Sequence, residues 1–178
     1  GDDKSIFVFP NAPFKFQLSY QAYGYAWIFP PTMDSEDMPE SMLDSTKKLM
    51  DTIETLIQHY KIKLPNVILG GFSQGAMMSA SIGFVRPEIF KGVFMLSGML
   101  LGESYLSSNT KADNNQSVFI SHGEFDSLVP FSNANKIVSF LENYGYSPEF
   151  HQYPIGHELS IESIQDLANW IHSLNDDE

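Results

Sequence analysis

Cysteine is absent from this 178-residue chain. That excludes disulfides, thiolate nucleophiles and zinc–thiolate sites, and it suits a reducing compartment, so the cytoplasm is the expected location. No apolar run approaches the roughly 18 residues a membrane-spanning helix needs, and stable membrane insertion is not expected. Positive charge is scarce: ten Lys and Arg stand against 22 Asp and Glu, a formal net charge of -12. Such a chain repels phosphate backbones, which argues against nucleic acid as a partner. It also has no basic amphipathic helix suited to an anionic membrane surface. The acids before the first long helix lack EF-hand spacing and read as partners of the helix dipole, so no metal site is expected.

Hydrophobic residues make up 43% of the chain, enough for a sizeable core, and the length fits one domain over 1–178. Ser5–Phe9, Asn66–Gly70, Gly92–Leu96 and Ser117–Ser121 are short apolar, β-prone runs. Continuous rather than alternating hydrophobicity predicts strands buried on both faces, as in a parallel sheet. Between them, Met42, Leu43, Thr46, Leu49, Met50, Ile53, Leu56, Ile57 and Tyr60 recur at helical spacing, with Pro39 placed for the first turn. Helices are also predicted from Gln74 to about Val85, around Ala134–Tyr144 with Gly145 as a left-handed cap, and from Ile164 to Leu174. Residues 148–153 form a weaker strand, 103–116 a polar surface loop, and the aromatic-rich stretch 12–33 a long loop closed by Pro30-Pro31. Strand then helix, repeated, predicts an α/β fold: a mainly parallel central sheet with helices on both faces.

The chemistry centres on Gly71-Phe72-Ser73-Gln74-Gly75, a G-x-S-x-G sequence between an apolar run and a helix. This is the nucleophile elbow, a strained turn that lifts a serine hydroxyl above the sheet. Serine needs a base to take its proton, and the base needs a carboxylate to hold its tautomer. Of five histidines, His59 and His172 lie on helices and read as surface residues, and His151 lies inside a strand. His122 ends a strand beside Gly123 and reads as shaping a turn. His157 follows Gly156 in the loop after the last strand and is the best base. Asp126, three residues past Gly123, is the best carboxylate, ahead of Glu124 and Asp113. All three candidates then follow strand ends, where open α/β sheets bind ligands. The chain order Ser, Asp, His is that of α/β-hydrolases.

Gly71–Gly75, His122-Gly123-Glu124-Phe125-Asp126-Ser127-Leu128-Val129-Pro130 and Gly156-His157-Glu158 together resemble the acyl-protein thioesterase/lysophospholipase (phospholipase/carboxylesterase) family of α/β-hydrolases. Phe9–Pro13, Trp27 and Leu96-Ser97-Gly98 fit the same pattern in the same order, so the resemblance spans the chain. It implies Ser73 as nucleophile, Asp126 as orienter, His157 as base and the backbone N–H of Gln74 as an oxyanion donor. Substrates would be small-molecule esters or acylated molecules, cleaved without a cofactor. Two departures stand out. Phe29 occupies a position where the family has an acid, and the family's oxyanion loop and its strand have no counterpart in the sequence. The expectation is a sheet lacking its N-terminal strands, completed in the native protein by several dozen residues upstream of Gly1.

The residues therefore point to a serine hydrolase cleaving carboxylic esters or thioesters through an acyl-enzyme on Ser73. Trp27, Met99, Leu100 and Leu101 are candidate substrate walls; ordinary packing explains the last three equally well. The alternative is a catalytically silent binding protein on the same scaffold. A homodimer and a monomer are equally compatible with the sequence.

Overall fold

Val93, Met95, Val118 and Ile120 point to one side of a sheet, and Phe94, Leu96 and Phe119 to the other. That two-sided burial explains why these strands read as unbroken apolar runs. The computed structural model describes residues 5–29, 37–112 and 115–175. Its central sheet is parallel, in the order β3 (Ile68–Phe72), β4 (Gly92–Leu96), β5 (Ser117–Gly123) and β6 (Glu149–Tyr153). On one face lie α1 (Glu40–Tyr60), α2 (Gln74–Gly83) and α4 (Ser132–Glu142), sharing the larger core with Met42, Met77, Met78, Ile137 and Leu141. On the other face α5 (Ile161–Asn175) contributes Trp170 and Leu174 to a smaller cluster.

Local chemistry sets the helix ends. Pro39 precedes the first turn of α1, and Lys61 in the left-handed region closes it, with Ile62 N–H donating to Ile57 O at 3.0 Å. Met42, Ser45, Leu49 and Ile53 of α1 are buried, whereas Leu43 and Tyr60, expected in the core, are 46% and 48% exposed. Leu43 points away from the stripe these four residues form, whereas Tyr60 continues that stripe but is the last residue of the helix. Gly145 adopts φ 87°, the expected left-handed cap after α4. At the start of α5, Ser160 and Ser163 exchange backbone-to-hydroxyl bonds of 3.0 Å each, a capping box built from two serines.

Three sequence expectations are corrected. Residues 5–10 form no strand; Ile6, Phe7, Val8 and Phe9 are 54%, 70%, 47% and 88% exposed. A strand needs partners for its N–H and C=O groups, and among the described residues none pairs with this run. The aromatic stretch is not a featureless loop: β1 (Phe14–Gln17) and β2 (Tyr23–Ala26) pair antiparallel, Phe14 opposite Ala26. Within 103–116, Glu103–Asn109 forms a short helix, α3, seated by the fully buried Leu106. Pro30-Pro31, Asp34 and Asp113 lie outside the described residues.

Candidate active site

The turn between β3 and α2 carries Ser73 at φ 55° and ψ −118°, a backbone region that costs a non-glycine residue free energy. Its N–H is held by Leu96 O at 2.9 Å, and its own carbonyl accepts the first helical bond from Met77 N–H at 3.2 Å. Gly71 must be glycine: a Cβ there would lie 2.6 Å from the backbone of Gly75. A Cβ on Gly75 would meet open space, so the crowding comes from one side of the serine. Gln74 is the first residue of α2, and its N–H belongs to the four that a helix start leaves without an intrahelical acceptor.

Asp126 lies just past β5 and His157 just past β6. Because the strands are parallel and adjacent in the sheet, both residues arrive at the same end as Ser73. Gly123 lets their two loops touch, since a Cβ on it would collide with the carbonyls of Ile155 and Gly156. The Glu124 and Phe125 N–H groups donate to Tyr153 O at 2.8 Å and Ile155 O at 3.0 Å, which fastens the acid loop to the histidine loop.

The three side chains form one line. Ser73 Oγ is 2.9 Å from His157 Nε2, and His157 Nδ1 is 2.7 Å from Asp126 Oδ2. A carboxylate only accepts, so Nδ1 carries the proton and the bare Nε2 accepts from the serine hydroxyl. The other carboxylate oxygen, Oδ1, accepts from the N–H groups of Leu128 and Val129 at 2.9 and 2.8 Å. Burial pushes the Asp126 carboxyl up, but the bonds from His157, Val129 and Leu128 outweigh it and hold the group below its ordinary value of 3.8. Phe72 packs its ring against the imidazole of His157, centroids 4.7 Å apart. Asp126 is 6% exposed, while His157 and Ser73 are half-buried, so the line runs from a buried carboxylate to partly exposed residues. Glu124, the competing carboxylate, is exposed on the same loop; Asp113 lies outside the described residues.

Sequence reasoning did not foresee what the Gln74 side chain does. Its Oε1 accepts from Trp27 N–H at 2.9 Å and Ile28 N–H at 3.3 Å, and its Nε2 donates to Ile28 O at 3.3 Å. From α1, Ser45 Oγ donates to Trp27 O at 2.6 Å and Ser41 Oγ accepts from Phe29 N–H at 3.1 Å. The segment 27–29 is thus strapped beside Ser73 by three side chains from two helices. Trp27 and Met99 are half-buried against the main core, and Leu100 and Leu101 are buried within it at 8% and 1% exposure. Among the described residues, no three His, Asp or Glu side chains are grouped to hold a metal ion. No helix there is long and apolar enough to cross a membrane.

A family model described as Phospholipase/Carboxylesterase matches residues 2–175. This chain belongs to that family. Its relatives include acyl-protein thioesterase 1 of Debaryomyces hansenii, 30% identical over 95% of this chain and 76% of that protein. Acyl-protein thioesterase 1 of Kluyveromyces lactis is 31% identical, over 93% and 76%. A crystal structure of a SOBER1 variant from Arabidopsis thaliana superposes with a TM-score of 0.78 at 25% identity, covering 94% of this chain and 83% of that one. The parallel sheet flanked by helices is accordingly an α/β-hydrolase fold in this phospholipase/carboxylesterase member.

Proposed function

We propose that this family member is a serine hydrolase of carboxylic esters or thioesters, with Ser73 as nucleophile, His157 as base and Asp126 as the group that orients and stabilises the imidazole. The observation that carries the reading is the unbroken hydrogen-bonded line from Ser73 Oγ through His157 to Asp126. His157 Nε2 takes the hydroxyl proton as Oγ attacks the carbonyl carbon. The C–O or C–S bond to the leaving group then breaks, and the alcohol or thiol takes that proton from His157. Water, deprotonated by the same Nε2, attacks the acyl carbon; the bond to Ser73 Oγ breaks, Oγ takes the proton back from His157, and the acid leaves. Asp126, kept ionised by its own bonds, offsets the charge of the imidazolium.

The Gln74 N–H at the start of α2 is the proposed oxyanion donor, aided by the positive end of the helix. A second donor is proposed on a segment that covers the outer edge of β3, which has no partner strand among the described residues. Losing one donor costs about 10² to 10³ in rate, so a single N–H would leave the enzyme slow. Trp27 and Met99–Leu101 are proposed to bound the acyl side of the substrate, and the relatives' names favour an acylated protein or a simple carboxylic ester. A chain without cysteine suits the cytoplasm as its place of action.

A fluorophosphonate probe tests the reading. Label is expected on wild type and lost in Ser73→Ala. Absence of label on a folded, full-length wild type would favour a silent binding protein and sink the enzyme reading. Rates across p-nitrophenyl esters of rising chain length then sort the substrates, and a steep fall beyond butyrate would count against a long acyl groove.

A further inference from the structure

Two histidines face Asp126, and the line to Ser73 uses one of them. The other is His122, near the end of β5, with a fully buried side chain. Its Nε2 lies 2.8 Å from Val129 O and 3.5 Å from Asp126 Oδ2, the same oxygen that His157 Nδ1 reaches at 2.7 Å. A carbonyl oxygen only accepts, so His122 Nε2 carries a proton. Nδ1 is buried without a hydrogen-bond partner among the described residues, and the Phe131 ring stands edge-on to the imidazole at 6.0 Å. The ring thus turns its N–H end toward Val129 O and the carboxylate.

The connections around it close a ring. Val129 takes the His122 N–H on its carbonyl and gives its own N–H to Asp126 Oδ1. His122 therefore ties the far end of the acid loop back to the strand from which that loop leaves. We propose that His122 is a positioning residue for Asp126: through Val129 it fixes where the carboxylate stands. It does not exchange protons with Ser73, and it cannot replace His157 as base. The proposal rests on the Ser73–His157–Asp126 line being catalytic. It differs from a space-filling role because packing needs the volume of the ring, whereas positioning needs the N–H.

Three substitutions separate the two roles: His122→Leu keeps volume without a donor, His122→Gln places an amide N–H at about the reach of Nε2, and His122→Asn falls one bond short. Each variant is checked for folding by thermal melting, then assayed for kcat and KM on p-nitrophenyl butyrate and for rate of fluorophosphonate labelling. His122→Leu is expected to lose about 10- to 100-fold in kcat with KM within about twofold, the size of effect a misplaced catalytic group produces. His122→Gln is expected to stay within about threefold of wild type, and His122→Asn to fall toward the Leu variant. The low-field proton resonance of His157 Nδ1–H should persist in the Gln variant and weaken in the Leu variant. Wild-type kcat in His122→Leu, or equal losses in the Leu and Gln variants, would overturn the proposal. If His122→Leu does not fold, equal kcat in the Gln and Asn variants overturns it. A wild type that neither turns over ester nor takes label refutes the catalytic line, and this proposal falls with it; a labelled wild type and an unaffected His122→Leu refute this proposal alone.

Discussion

Val93–Leu96 and Ile6–Phe9 are apolar runs of similar composition with opposite fates. The first is hydrogen-bonded on both edges, by β3 and β5, and covered on both faces. The second lies outside the sheet with its side chains largely in solvent. The difference teaches that an apolar run becomes a strand only where pairing partners and covering helices converge on it. The same contrast separates the two parts of the candidate site. The acid and histidine loops hang from paired strands and are bonded to one another. The strap at 27–29 follows a two-stranded hairpin and is held by side-chain hydrogen bonds from α1 and α2.

The first way to break the contrast is chemical. If the sheet-borne residues carry the reaction, Ser73→Ala should lower kcat by about 10⁴-fold or more, measured on p-nitrophenyl butyrate. Asp126→Asn should follow at about 10³- to 10⁴-fold, through the wrong imidazole tautomer. Residual activity within tenfold of wild type in either variant would move the chemistry elsewhere in the chain.

The second way is energetic. Phe119 is fully buried under α5, and Phe119→Ala should cost about 3–5 kcal/mol in urea unfolding. Phe7→Ala should change stability by less than about 0.5 kcal/mol, as at an exposed site. Comparable losses at the two positions would mean that the N-terminal run is covered after all. Gln74→Ala sharpens the difference within the site. It removes the acceptor of two backbone N–H groups, and an expected cost of about 1–3 kcal/mol should come with a changed preference for acyl-chain length. An unchanged chain-length profile would detach the strap from the substrate.

The smallest effect is a surface one. Partial burial pushes Glu88 up, but Arg86, a backbone bond and Lys111 overcome that and hold its carboxyl at about 2, below the ordinary 4.5. A depressed carboxyl stabilises the fold above its unfolded value, and the contribution fades as pH falls through the folded one. The stability gap between wild type and Glu88→Gln should therefore be present at neutral pH and close between about 4.5 and 2. Because the group is half-exposed, the gap should be small. A gap that persists unchanged at pH 2 would assign the effect to packing instead. The Asp126 carboxyl, also depressed, should lose its contribution below its ordinary 3.8, and Asp126→Asn should blunt that acid limb.

The sequence by itself determined the alternation of the main strands and helices from α1 onward, the strand after which each polar candidate falls, and the identity of Ser73, Asp126 and His157 as candidates. Those features are local: apolar runs buried on both faces, a glycine-flanked turn, and loops at strand ends. The tertiary structure alone decided the rest. Period-2 alternation at Phe14, Phe16, Tyr23 and Tyr25 was a usable signal for the hairpin, but rings on both phases of the segment masked it. Nothing near Gln74 in the sequence announces that its amide holds residues 46 and 47 positions away, because such bonds depend on where two helices bring the segment. Likewise His122 looks like any strand-ending histidine until Val129 and Asp126 fold back over it. Strand propensity is written in neighbours along the chain. Whether a run is paired, and which donor faces which carboxylate, depends on groups far apart in sequence that only packing brings within hydrogen-bond reach.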